Sequence, residues 1–599
     1  MRIAKALGLF ALVAGSLTAC NDGSPGTTIN TSTAPGTLIQ SPPFRVASLN
    51  AAAFAAQLGA TSSGQQLLAL STPNPALNLP TCGVDMHYFQ YQTVGGKNEP
   101  TTASGAIMAP TGSAACTTAR PVLVYTHGTA VTKGYNLANI LDSTNEAWTE
   151  SAMMAAFYAA HGFIVIASNY AGYDSSSLPY TPYLNADAES KDVINAYHAA
   201  MSAISAGLPS GVTASSTLFV TGYSQGGHVA MATVRAMQAA NITVHGSAPM
   251  SGPYAMLAFG DAAVAFSNPS LGGTIYYPMI INSYQQAYGG LYTALTDVYN
   301  PAYATGIDTL IPGQYTFTTL ITSGKLPQFA IFDSATPSTG VAALDAILSA
   351  PSAASNPIAA LGFGTPYLIN NSERVSYAID ATTPGSIDGE FLSQVTQGAL
   401  ANTGLPPATK PVHPLRAALW TNDLRSFVPS SPMMLCGGHD DPEVWYSVNT
   451  YAMQQILNAQ VPQLLTVVDV DPGSPLTAGG IYGDIGTIAA TSYGTDLAHN
   501  VTSVATLAND VQAAVITHFI SHFSVASGTP VPIDPQGVEV AGLASVAAQA
   551  VTQYYSASAP LTPAAMGADV SNAVVAYYHF PFTQLSCEVA AQAYFAAIP

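Results

Sequence analysis

The chain has 599 residues, of which 13 are Lys or Arg and 32 are Asp or Glu, so only 8% are charged and the formal net charge is -19. Such a composition lacks the basic footprint that a nucleic-acid partner requires. Although 48% of residues are hydrophobic, no apolar run of the roughly 20 residues a membrane helix needs follows the first 20 positions, and the expectation is a globular chain with a weakly charged surface.

Residues 1–20 (MRIAKALGLFALVAGSLTAC) place Arg2 and Lys5 ahead of an apolar stretch from Ala6 to Leu17. That stretch is too short to span a bilayer and is built like an export signal. Leu17-Thr18-Ala19-Cys20 resembles a bacterial lipobox. The resemblance implies a signal peptide over 1–19, a lipid on Cys20 and a lipoprotein of the bacterial cell envelope, at the outer membrane, periplasm or cell surface. The alternative is an ordinary secretory signal cut after Ala19, which leaves Cys20 free and the protein secreted. Residues 20–46 are rich in Gly, Ser, Thr and Pro and read as a disordered tether.

Four further cysteines remain, Cys82, Cys116, Cys436 and Cys587. An even number in an exported chain favours disulfides. Cys82 and Cys116 flank one early segment and are expected to pair, which leaves Cys436 for Cys587. Zinc is the other use of such residues, but no close Cys/His spacing supports a metal site.

The next elements follow in order. Pro121–Tyr125 reads as a strand running into His127-Gly128-Thr129, with His127 shaping a loop. Phe163–Ala167 is a second strand, running into SNYAGYDSSS, where Asp174 is expected to be a loop residue. Leu218-Phe219-Val220 is a buried strand leading into Gly222-Tyr223-Ser224-Gln225-Gly226, and a helical stretch follows. This is G-x-S-x-G between a strand and a helix, the setting of a nucleophile on a sharp turn. Glycines two residues either side allow close backbone approach, and the helix N-terminus favours negative charge developing near Ser224. His228 shares that helix and reads as structural, because a base there would point back into the packing.

Taken together, TCGV (81–84), YTHGT (125–129), SNYAGY (168–173), GYSQGGH (222–228) and SAPMSGPY (247–254) resemble bacterial secreted α/β hydrolases related to the fungal secretory lipase type. The resemblance covers roughly residues 80–260, with two islands further on. It implies an α/β-hydrolase fold, a mostly parallel sheet flanked by helices with an inserted, mainly helical cap. It also implies serine carboxylic-ester hydrolysis, an oxyanion hole from the Thr129 and Gln225 backbone N–H groups, and triad members in the order Ser, acid, His.

The acid falls in GGHDDPEV (437–444), where alignment with the family's acid loop selects Asp441 and leaves Asp440 as the rival. Candidate bases are His499, His518, His522 and His579. His518 and His522 are spaced i, i+4 on an amphipathic stretch, without the HExxH of a metalloprotease. His579 has the best setting, between an apolar segment and a final helical pattern, and it resembles the family's last motif, with Phe580 where Gly is usual. Cys436 lies five residues before Asp441 and Cys587 eight after His579, so their pairing would tie acid loop to base loop.

The resulting division is hydrolase core over 47–254, cap over 255–410, and core again over 411–599 with an insertion at about 475–570. Helical pieces of the cap are expected around 278–298, 341–349 and 388–401. The cap's aromatic and apolar text suggests a neutral apolar or aromatic ester as substrate, with no cofactor, no metal and the membrane met only through Cys20. Two other functions remain open, a serine peptidase on the same fold and a non-catalytic surface binding protein on a hydrolase scaffold.

Overall fold

The computed structural model describes residues 27–60, 81–353, 356–384, 409–470, 480–498, 504–526, 547–552 and 562–598. The signal peptide, Cys20, His499 and the helical piece expected at 388–401 lie outside the described residues.

A nine-stranded sheet organises the chain. Its strands are β1 (Phe44–Leu49), β2 (Gly83–Val94), β3 (Pro100–Thr111), β4 (Arg120–Thr126), β5 (Ile164–Ser168), β6 (Ala214–Tyr223), β7 (Gly246–Met250), β8 (Met433–Gly437) and β9 (Leu465–Asp469). Their spatial order is β9-β8-β7-β6-β4-β5-β3-β2-β1. Pairing is parallel from β5 through β9, while β1, β2 and β3 are antiparallel additions at one end. The parallel strands are covered on both faces, so β5 (IVIAS), β7 (GSAPM) and β8 (MMLCG) are buried along their whole length. Such strands read in sequence as unbroken apolar or small-residue text. The C-terminal half of β2 alternates buried and half-buried positions, as a strand with one wetter face should.

Helices fill the faces. They include α1 (Trp148–Phe157), α2 (Ala186–Ala206) and α3 (Gln225–Ala239). Helix α2 starts where the Asn185 side chain accepts from the Ala188 N–H, has Asp187 and Glu189 in its first turn, and stops at Gly207 with φ 98°. Each is a signal the backbone dipole and its orphan groups call for. This is the α/β-hydrolase fold, with strand order reversing so that loops from β4, β6 and β8 meet at one edge.

A second apolar cluster comes mostly from residues between β7 and β8 in sequence, joined by Val131, Tyr183 and Leu184. It is built on α4 (Met256–Val264), α5 (Gly273–Tyr288), α6 (Asn371–Thr382) and α7 (Pro414–Thr421). Buried Arg416 of α7 forms ion pairs with Asp261 of α4 at 2.6 Å and Asp380 of α6 at 2.9 Å. These pairs, with Leu415, Ala418 and Leu419, join α7 to this cluster, so the cap runs past the expected boundary at 410. Beyond β9, α8 (Gly480–Ala498), α9 (Val504–Ala526) and α10 (Pro563–Tyr577) pack on one another and on the main core, and α11 (Gln584–Ala597) follows. His518 and His522 lie on α9. Among the described residues no helix is long and apolar enough to cross a membrane.

The expected tether is corrected. Thr28–Ile29 pairs antiparallel with Gln40–Ser41, the Gly36 and Ile39 N–H groups donate to Gln92 and Gln90 carbonyls at 2.8 and 2.9 Å, and Leu38 is buried. Phe44–Leu49 then enters the sheet as β1. Composition suggested disorder because the segment has few apolar side chains. The free edge of β2 supplies backbone partners that need none. Strand pairing therefore lies within the stretch assigned to the tether.

Candidate active site

Ser224 sits between β6 and α3 with φ 58° and ψ -124°, a backbone region an L-residue enters only under constraint. The constraint comes from its neighbours. A Cβ at Gly222 would lie 2.0 Å from Thr126 Oγ1, and one at Gly226 would lie 2.0 Å from the Thr126 carbonyl oxygen. Glycine at both positions lets the turn press against the end of β4, which thrusts the Ser224 side chain above the sheet.

The other two expected residues come to it from far away in sequence. His579 Nε2 lies 2.9 Å from Ser224 Oγ, and His579 Nδ1 lies 2.6 Å from Asp441 Oδ2. Asp441 and His579 are both buried. Asp441 Oδ1 accepts from the Glu443 and Val444 backbone N–H groups at 2.9 and 3.0 Å, and Oδ2 accepts from Ser251 Oγ at 2.8 Å. The carboxylate therefore has four partners fixing its plane. His579 Nδ1 meets Asp441 and not the rival Asp440, whose backbone N–H donates to Tyr578 OH at 3.2 Å. Burial works against a charged imidazole at His579, but the Asp441 carboxylate and its hydrogen bond outweigh it, with Glu443 adding to them, and the pKa is raised above the usual histidine value.

His579 occupies the irregular segment between α10 and α11, where Phe580 leaves helical geometry at φ -134° and ψ 125°. Tyr223 OH donates to the His579 carbonyl at 2.6 Å, so the residue preceding the serine also holds the base segment. Disulfides join Cys82 to Cys116 and Cys436 to Cys587. The second ties the end of β8, and with it the acid loop, to α11.

The Thr129 and Gln225 backbone N–H groups have no hydrogen-bond partner among the described residues. Gly128, beside Thr129, comes within contact of Ser224, since a Cβ there would lie 3.9 Å from Ser224 Cβ. Glu150 of α1 shapes this loop. It accepts from the Gly128 N–H at 3.0 Å, from Tyr125 OH at 2.5 Å and from Tyr135 OH at 2.6 Å. His127 stacks on Tyr135 and Tyr170 with centroids 4.4 and 4.0 Å apart, a structural role as expected from sequence. His228 is buried with Nδ1 against the Pro253 carbonyl at 2.9 Å, and burial pushes its pKa down to about 4. Asp174 accepts from Tyr88 and Ser104 hydroxyls, both at 2.7 Å, as a loop residue.

Two cavities meet at Ser224. One is narrow and apolar, running under the cap between Met256, Phe259, Val264, Tyr277, Ile280 and Leu419. The other opens outward past Thr129, His579, Phe317 and Phe580. Tyr276 and Glu443, hydrogen-bonded to each other, line both. Neither cavity is lined by Lys or Arg. No group of three or more metal-ligating side chains occurs among the described residues.

Sequence reasoning did not reach Ser251, Glu150 or Glu443.

Fold and geometry together define a protein of the α/β-hydrolase fold with serine, histidine and aspartate in one hydrogen-bonded chain at the strand-to-helix turn. Among solved structures the chain is similar to the rice cell wall degrading esterase LipA from Xanthomonas oryzae, at 23% identity over 73% of this chain and 91% of that one, with a TM-score of 0.53. It is also similar to a candidate hydrolase from Legionella pneumophila, at 16% identity over 72% of this chain and 91% of that one, with a TM-score of 0.50. At these identities the likeness is one of fold. No family profile and no curated protein sequence matches the chain.

Proposed function

We propose that the protein is an exported serine hydrolase that cleaves carboxylic esters through an acyl-enzyme. The observation that carries this reading is the chain of contacts from Ser224 Oγ through His579 to Asp441, at 2.9 and 2.6 Å. In the reaction His579 Nε2 takes the Ser224 proton as Oγ attacks the ester carbonyl, and Asp441 stabilises the imidazolium. The tetrahedral oxyanion is held by the Thr129 and Gln225 N–H groups. The imidazolium then gives its proton to the departing alcohol oxygen. Water, deprotonated by His579, attacks the acyl-enzyme and releases the acid.

The narrow apolar cavity suits an uncharged acyl chain or aromatic acid, and the outward cavity suits the alcohol side. Lys and Arg are missing from both linings, and the Glu146 and Glu150 carboxylates are taken up by the loop around Thr129. Glu443, which lines both cavities, is engaged by Tyr276 OH. A peptide's C-terminal carboxylate would therefore find no cationic side chain there, which favours esters over peptides. Two disulfides favour an oxidising compartment. With the lipobox-like Leu17–Cys20, they support a lipid-anchored envelope protein or a secreted one.

The test is labelling by a fluorophosphonate probe, followed by turnover of p-nitrophenyl esters of graded acyl length against a panel of peptide amides. Labelling that vanishes in Ser224→Ala, together with ester turnover, is expected. Amide turnover without ester turnover would favour a peptidase. An unlabelled wild type would leave a binding protein on a hydrolase scaffold.

A further inference from the structure

The two oxyanion donors stand on different loops, Thr129 after β4 and Gln225 after β6. Each has its side chain held by the same short stretch of chain, residues 183–189. Tyr183 OH lies 2.7 Å from Thr129 Oγ1. Glu189 Oε1 accepts from Gln225 Nε2 at 2.6 Å, in a fully buried contact. Between these two pins Leu184 takes a left-handed backbone at φ 52°, unusual for a branched side chain and kept only where its surroundings demand it.

The same stretch is held from the other side by the cap. Tyr284 of α5 donates its hydroxyl to the Leu184 carbonyl at 3.0 Å. Asn422, directly after α7, accepts from the Ala186 N–H at 2.9 Å. Tyr183 and Leu184 belong to the apolar cluster of the cap and not to that of the sheet. Residues 183–189 are thus bonded to both donor residues and to the cap within seven positions.

We infer that residues 183–189 are a positioning segment, in which Tyr183 and Glu189 orient Thr129 and Gln225 so that their N–H groups converge on the oxyanion, and through which Tyr284 makes that convergence depend on the seated cap. Tyr183 also lines the apolar cavity beside Ser224, but none of the three side chains is assigned a contact with reacting atoms. Oxyanion donors act only if they are aimed before charge develops, so a small rotation of either residue lowers turnover while substrate binding is kept. Burial holds the Glu189 carboxyl well above its usual range, so glutamine, its neutral isostere, keeps both the shape and the acceptor.

The inference rests on the proposed hydrolase mechanism, and the experiment separates the two. Tyr183→Phe, Tyr284→Phe, Glu189→Leu and Glu189→Gln are compared with wild type for fluorophosphonate labelling, for kcat and KM on a short p-nitrophenyl ester, and for Tm. Tyr183→Phe and Glu189→Leu are expected to lower kcat roughly tenfold with KM within about twofold, less than the loss of a whole donor. Glu189→Gln should restore kcat. Tyr284→Phe should lower it less, and combining Tyr183→Phe with Tyr284→Phe should cost less than the product of the single effects, because the two share one segment. A wild type that is labelled and active, with kcat unchanged in Tyr183→Phe and Tyr284→Phe, would overturn the inference alone, whatever happens to Tm. A wild type that neither labels nor turns over would overturn the mechanism and the inference with it. If Glu189→Leu fails to fold, the two phenylalanine variants, each lacking one oxygen, still decide the matter.

Discussion

Ser251 donates its hydroxyl to Asp441 Oδ2 at 2.8 Å, the same oxygen that His579 Nδ1 meets at 2.6 Å. The serine follows β7 and the aspartate follows β8, so neighbouring strands set the carboxylate from two directions. Ser251→Ala leaves that oxygen with the imidazole alone. We expect kcat to fall about tenfold with KM unchanged, and Asp441→Asn to fall by about 10⁴ through the wrong imidazole tautomer. Asp440→Asn should stay near wild type. Steady-state kinetics on one ester distinguishes the three.

The raised pKa of His579 gives a pH signature. The imidazole must be neutral to accept the serine proton, so activity should fall as pH drops through a value above the ordinary 6.5. Removing the Asp441 charge in Asp441→Asn removes the main stabilisation of the imidazolium. The acid limb of kcat/KM for the residual activity should then move to lower pH. A limb that stays in place would mean that another group sets it.

Phe317 of the cap and Phe580 beside the base both line the outward cavity, and they are 37% and 47% exposed. Aromatic faces left to solvent at a cleft favour a flat or bulky alcohol portion. Phe317→Ala and Phe580→Ala should raise KM for naphthyl esters about threefold to tenfold relative to methyl esters. Preference among acyl lengths should be little changed, since the acyl cavity lies on the other side of Ser224.

The Cys436–Cys587 bond closes 151 positions of chain. On the chain-entropy view its loss costs about 4–5 kcal/mol. The Cys436→Ser and Cys587→Ser double variant should unfold at lower temperature and lose kcat as well, because acid loop and base segment are no longer tied. Cys82→Ser with Cys116→Ser should lower stability with little effect on kcat, as that bond lies away from the triad. Thermal melts beside kinetics make the contrast.

Glu588 of α11 is buried against Tyr158 OH at 2.6 Å, and burial pushes its carboxyl up to about 8 from 4.5. Between those two pH values the unfolded chain gives up this proton while the folded chain keeps it. The folded state binds more protons, so this group makes stability fall as pH rises through the window. Glu588→Gln should remove that slope, raising Tm at pH 8 relative to pH 5 by roughly 1–4 °C.

The core of the fold was legible because parallel strands buried on both faces write themselves as apolar runs, and because Gly222 and Gly226 mark a turn no other residue allows. Ser224, Asp441 and His579, which the structure brings into one hydrogen-bonded chain, were picked out by chain order and by likeness to family motifs. Glu150, Glu189 and Ser251 were not legible, since each acts through a partner more than 20 positions away and no local pattern announces such a pair. The strand pairing of residues 28–46 was missed for another reason. Backbone pairing to an open strand edge is indifferent to side-chain composition, which was the property read.

That pairing has a geometric consequence for a lipid on Cys20. Seven residues, 21–27, separate Cys20 from Thr28, where the first strand pair begins. At about 3.3–3.6 Å each they reach roughly 25 Å when fully stretched. If Cys20 carries a lipid, as proposed, the β1–β2 end of the sheet would lie toward the bilayer, and the esters within reach would be those near the surface.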